Sequence, residues 1–198
     1  MSEGDTERGG HATLDGEARS HTQAESADDC KALDALPEEE ARAALQRCCG
    51  SSRWVAHMLS ERPFGNRSKL LEAASRHWNA LTVADWDEAF SHHPRIGEPG
   101  RVAAGAASAA STAGWASKEQ AGAARADDAV KAAIAEGNRT YEAKFGRIYL
   151  VCATGKSGEE LLGILRARLD NEPDVELRIA AAEQDKITRL RLEKLLSS

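Results

Sequence analysis

"TVADWDEAFSHHPRIG", residues 82–97, contains both a helix and the signal that ends it. Val83, Trp86 and Phe90 recur at the three- and four-residue spacing of one helix face. Thr82 stands ahead of them with Asp85 three residues on, a relative of the capping box. Pro94 disfavours the helical conformation for the residue before it, so the helix is predicted to end at His93. A chain with six histidines places two of them directly before that proline. The imidazole there is either a helix-end residue favoured by the dipole or a group held for proton transfer.

The helical period continues in both directions. "LDALPEEEARAALQRCC" (33–49) has apolar residues at 33, 36, 41, 44, 45 and 48, with acids grouped at its start. "SSRWVAHMLSERPF" (51–64) puts Trp54, Val55, Met58 and Leu59 on one face, and Pro63 stops it. "SKLLEAASRHWNAL" (68–81) does the same with Leu70, Leu71, Ala74, Trp78 and Leu81. Beyond the histidines, residues 97–114 are almost all Gly, Ala and Ser, which predicts a flexible insert outside the core. A long helix then carries Val130, Ile134, Tyr141 and Phe145, and Gly146 is placed to end it. "RIYLVCA" (147–153) is the one extended stretch. Ser157 and Glu160 form a capping box ahead of Leu161, Leu162, Leu165 and Leu169, and a last helix runs from Pro173 to about Leu196. The pattern predicts an all-α single domain of about eight helices over 33–198. Residues 1–32 form a tail without large apolar anchors, read as disordered.

Composition narrows the function. A net charge of −6 argues against a nucleic-acid binder, which needs clustered Lys and Arg. No apolar run reaches bilayer-spanning length, and the N-terminal stretch lacks the apolar segment of a secretory signal. The expected setting is the cytoplasm, with Cys30, Cys48, Cys49 and Cys152 as reduced, buried packing residues. Their spacing matches no metal site. "GKS" at 155–157 is not a phosphate loop, because the upstream glycine position holds Leu150; Ser157 is read as a cap. Glu119 is read as an acid near a helix start. In the last helix Ile187, Arg191 and Leu195 share one line, so Arg191 must find a partner or reach for solvent, whereas Arg189 lies off that line and is expected to be solvated.

Taken in order, "CCGSSRW", "RPF", "DWDEAFSHHPRIG", "WASKEQAG", "NRTYEAKFGRIYLVCATGKS" and "RARLDNEPDVELRIAAAEQDKITRLRL" resemble the 2-oxo-4-hydroxy-4-carboxy-5-ureidoimidazoline (OHCU) decarboxylase family over about residues 33–196. The resemblance implies an all-α homodimer that uses no metal or organic cofactor and converts OHCU to (S)-allantoin in urate degradation. It implies catalytic roles for His93, Glu119 and Arg191. It implies substrate contacts from Pro94, from Ala116, Ser117, Lys118 and Gln120, and from the backbone run Tyr149, Leu150, Val151, Cys152 and Ala153. One departure stands out. The family often has serine three residues before the glutamate, where this chain has Ala116 and its serine is Ser117. That departure is the best support for the competing expectation, a non-catalytic helical ligand-binding or protein-interaction bundle. The two diverge on geometry: catalysis requires His93, Glu119 and Arg191 to meet in one pocket, with Glu119 within direct or one-water reach of the imidazole and favouring its charged form.

Overall fold

The computed structural model describes residues 29–98 and 109–197, with the backbone alone for 109–113. Ten helices and no strand occur among the described residues: α1 (Lys31–Ala35), α2 (Glu38–Cys48), α3 (Ser52–Ser60), α4 (Arg67–Asn79), α5 (Val83–Ser91), α6 (Ala109–Glu119), α7 (Ala121–Arg125), α8 (Asp128–Phe145), α9 (Gly158–Arg168) and α10 (Pro173–Leu196). The all-α expectation holds. The two extra helices, α1 and α7, have five residues each, too few for an amphipathic period to show.

Local chemistry sets the helix starts. Ser51, Asn66, Thr82, Asp127 and Ser157 each accept a hydrogen bond from a backbone N–H in the first turn of the helix that follows. Both capping boxes, Thr82 with Asp85 and Ser157 with Glu160, are complete. Gly146 ends α8 in the left-handed conformation, at φ 69°.

Two apolar cores result. One gathers Trp54, Met58, Leu70, Trp78 and Phe90 from α3–α5 with Ala180, Ile187 and Leu192 from α10. The Trp78 indole donates to the Ala181 carbonyl at 2.9 Å and so ties α4 to the last helix. The other core gathers Ile134, Tyr141 and Phe145 from α8 with Leu161, Leu162 and Leu165 from α9. Fully burying one such aliphatic side chain stabilises the fold by roughly 1.5–3 kcal/mol, so neither cluster is incidental. The 149–153 run passes between them. Leu150 and Cys152 belong to the first core, while Tyr149, Val151 and Ala153 belong to the second. That strict alternation is the signature of extended backbone.

Some boundaries differ from the sequence reading. Helix starts at Lys31, and Cys30 is already buried, because Cys30 and Leu33 pack into the first core. Residues 1–28 of the expected tail lie outside the described residues. Of the expected 97–114 insert, 99–108 also lie outside them, but 109–114 are helical and open α6, as their alanine content permits once Trp115 and Ala116 pack. Arg189 is not left to solvent: it is half-buried and donates to the Leu71 carbonyl and the Ser75 hydroxyl. All four cysteines are buried free thiols. No helix among the described residues is long and apolar enough to cross a membrane.

Candidate active site

α5 ends at Ser91 and His92 is its C-cap, so His93 is the first residue of the turn beyond it. Its N–H still donates to the Phe90 carbonyl, which aims the chain inward. The turn is held by side chains on several sides. Gln120 donates to the Pro94 carbonyl and accepts from the Gly97 N–H. Asn138 donates to the Ile96 carbonyl at 2.9 Å. Glu142, one helical turn further along α8, takes both Nε and Nη2 of Arg95 at 2.5 and 2.8 Å. Gly97 closes the turn at φ 84°, where a side chain would be strained. His93 is buried, and Ile96 packs into the second core.

Glu119 is the last residue of α6 rather than an early residue of a helix. A carboxylate at a helix C-terminus meets the negative end of the dipole and needs cations to hold it. α10 supplies them. Arg191 donates to it from Nη2 at 2.9 Å and from Nε at 3.3 Å, and Lys194 donates at 3.0 Å. Burial pushes the Glu119 carboxyl up, but these hydrogen bonds and charges outweigh it and hold it below the ordinary glutamate value. Arg191, 2% exposed, has found its partner instead of reaching for water, and its Nη1 also donates to the Arg47 carbonyl.

His93, Pro94, Ile96, Ala116, Glu119, Gln120, Tyr149, Leu150, Val151, Ala153, Thr154, Ile187, Leu190 and Arg191 line one cleft. The three segments carrying His93, Glu119 and Arg191 therefore converge, and the 149–153 run forms a wall. Expectation and structure differ at the imidazole. The direct hydrogen bonds of the Glu119 carboxylate go to Arg191 and Lys194. The imidazole is also not favoured in its charged form: burial, then the Arg191 charge, push its pKa down to about 3, against the opposing pull of Glu119 and Gln184. His93 is neutral near pH 7.

Other expected contacts separate in the same way. Ala116 is buried on the cleft, while Ser117 and Lys118 are exposed, so Ser117 does not shift into the place that Ala116 holds. Lys118 lines a different groove, with Arg125 and Lys156. Cys152 is absent from the cleft wall; its side chain packs in the first core and its N–H donates to Glu183. The structure adds residues that the sequence reading did not place at the site: Thr154, Ile187 and Leu190 on the wall, Asn138 under the turn, and Gln184 near the imidazole. Gln184 is fully buried, with its Nε2 donating to Thr188. The available signal was Gln184, Thr188 and Arg191 at i, i+4 and i+7, a polar stripe on a helix that must also pack a core.

A family model described as OHCU decarboxylase matches residues 34–193. The uric acid degradation bifunctional protein TTL of Arabidopsis thaliana is 37% identical over 150 residues, 76% of this chain and 45% of that protein. The chain thus spans under half the length of the plant relative. The 2-oxo-4-hydroxy-4-carboxy-5-ureidoimidazoline decarboxylase of Amia calva is 32% identical over 142 residues, 72% of this chain and 79% of that protein. Among solved structures, a crystal structure of OHCU decarboxylase in the presence of (S)-allantoin aligns with TM-score 0.67 and 36% identity, covering 79% of this chain and 99% of that one. A crystal structure of (S)-allantoin synthase aligns with TM-score 0.59 at 17% identity over 83% of this chain and 53% of that one, a likeness of fold.

Proposed function

This chain belongs to the OHCU decarboxylase family, and from that premise we propose that it decarboxylates 2-oxo-4-hydroxy-4-carboxy-5-ureidoimidazoline to (S)-allantoin and carbon dioxide. The observation that carries the reading is the convergence of His93, Glu119 and Arg191, from three separate segments, on one cleft. The substrate supplies its own electron sink. When the bond to the carboxylate breaks, its electron pair passes into the adjacent ring C=N, and the former imine nitrogen takes up one proton from solvent; the hydroxyl then becomes the carbonyl as its proton leaves, and the former imine carbon takes up a proton. No redox step occurs, so the residues need only orient the ring and move protons.

A neutral imidazole suits that task. The unprotonated nitrogen of His93 accepts the hydroxyl proton as the carbonyl forms, and the same nitrogen returns a proton to carbon, so the buried imidazolium is only transient. Arg191 is engaged with Glu119 and is not free to clamp the departing carboxylate. Such a clamp would stabilise the ground state more than the transition state, so its absence favours turnover. The ion pair instead fixes the floor of the cleft, and Gln120 fixes the turn that carries His93 and Pro94. We read the reaction as cofactor-independent and the active species as a cytoplasmic homodimer, both implied by the family. Circular dichroism of freshly generated substrate tests the reaction, with (S)-allantoin expected to accumulate faster with the protein than in buffer. Turnover indistinguishable from buffer would return the chain to the non-catalytic reading. Sedimentation equilibrium tests the dimer.

A further inference from the structure

The cleft wall at 149–153, like the turn at 93–97, has no helix to hold its backbone. Three side chains hold it. The Leu150 carbonyl accepts Nη1 of Arg168 at 2.7 Å, and the Cys152 N–H donates to Oε2 of Glu183 at 2.8 Å. The Cys152 carbonyl also accepts the Lys156 ammonium at 2.8 Å. Arg168 is itself fixed: its Nε donates to Glu176 at 2.7 Å, and its guanidinium lies over the Tyr149 ring at 5.0 Å. Glu176, fully buried, also accepts from Tyr141 and from Asn171. A buried ion pair contributes little net stability, since desolvation offsets most of the attraction. What this one provides beyond itself is a rigid donor aimed at the Leu150 carbonyl.

Extended backbone presents the N–H and C=O of successive residues to opposite edges. Residues 150 and 152 both turn theirs toward the α9–α10 edge, to Arg168, Lys156 and Glu183. Val151 must then turn its own N–H and C=O to the other edge, and Val151 lines the cleft with His93 and Arg191. We propose that Glu183, with Arg168, is a positioning residue: a two-point clamp that holds the 149–153 run in the register that offers the Val151 backbone groups to the ligand. The inference rests on the decarboxylase reading for its ligand, but the clamp itself is a property of the backbone.

The test uses the full chain and Glu183, which is partly exposed and whose removal leaves the cores intact. Its other oxygen pairs with Lys186, an exposed residue, so Lys186→Ala serves as the control for the loss of that pair. Glu183→Ala is expected to raise KM for OHCU about tenfold, the equivalent of one ordinary hydrogen bond, and to speed amide exchange at Val151, Cys152 and Ala153 without altering exchange in α4 and α5. Glu183→Gln keeps an acceptor oxygen and is expected to restore both. Unchanged exchange in Glu183→Ala, faster exchange with unaltered KM, or the same losses in Lys186→Ala would each overturn the proposal. A wild-type chain that forms no (S)-allantoin would instead refute the decarboxylase reading, and exchange at 151–153 would still decide whether the clamp exists.

Discussion

Adjacent histidines with opposite fates show how finely backbone direction divides roles. His92 caps α5, and its ring packs against Gly50, where an added Cβ would stand 2.6 Å from it. His93, one residue on, turns into the cleft. His93→Gln is expected to lower the decarboxylation rate by roughly 10²-fold or more, the loss typical of a positioned acid–base group, while His92→Ala stays near the wild-type rate; equal losses would contradict the assignment. The lowered pKa of His93 has its own signature. Because the imidazole is neutral down to about pH 3, kcat/KM should show no inflection near pH 6.5, where a free histidine titrates. A bell with its acid limb at that pH would mean that His93 is charged in the free protein.

At the scale of elements, the caps and close approaches are where single atoms matter. Ser157 starts α9, and its loss in Ser157→Ala should cost about 1 kcal/mol, read as a lower midpoint in urea with an unchanged slope. Gly122 in α7 lies so close to the approach to α9 that a Cβ there would fall 1.8 Å from the Lys156 carbonyl oxygen. Gly122→Ala should therefore push α7 off α9 and destabilise by about 1–3 kcal/mol, the usual range for overpacking. A neutral result in the same titration would show that α7 moves freely. Glu119 and Gln120 precede this helix directly, so activity should fall along with stability.

For the whole molecule, acid stability follows from two groups with the same sign, the buried His93 and the half-buried Glu119. Glu119 has a depressed folded pKa, so its contribution is complete above the unfolded carboxylate value and is lost as pH falls through the folded one. His93 is held neutral in the fold but protonates near pH 6.5 when unfolded, so stability also declines as pH drops below that value toward about 3. The melting temperature should be flat between about pH 7 and 8 and, on the acid side, fall in two stages, first between about pH 6.5 and 4.5 and then more steeply. Thermal scans of His93→Gln should lack much of the first stage; an unaltered curve would assign that stage to other groups.

The helices and their ends were legible in the sequence because their causes are local. Thr82 with Asp85, Ser157 with Glu160, Gly146 and Pro173 act within a few residues of themselves, and a 3.6-residue period needs no partner to be visible. The short α1 and α7 were not legible, since five residues carry no period. The residues of the cleft could be chosen through family resemblance, yet their states could not. Glu119, one of the partners expected for Arg191, was also expected to reach the imidazole; its direct hydrogen bonds go to Arg191 and Lys194, 72 and 75 residues away along the chain. Glu119 was expected to favour the charged form of His93 and does pull that way, but burial and the Arg191 charge outweigh it, because desolvation depends on how two cores close around the imidazole. No local pattern marks Arg168 or Glu183; their grip on Leu150 and Cys152 arises where the chain crosses between those cores. Propensity and capping are written residue by residue, whereas burial, ion pairing and the edge to which a backbone amide turns exist only after distant segments have packed.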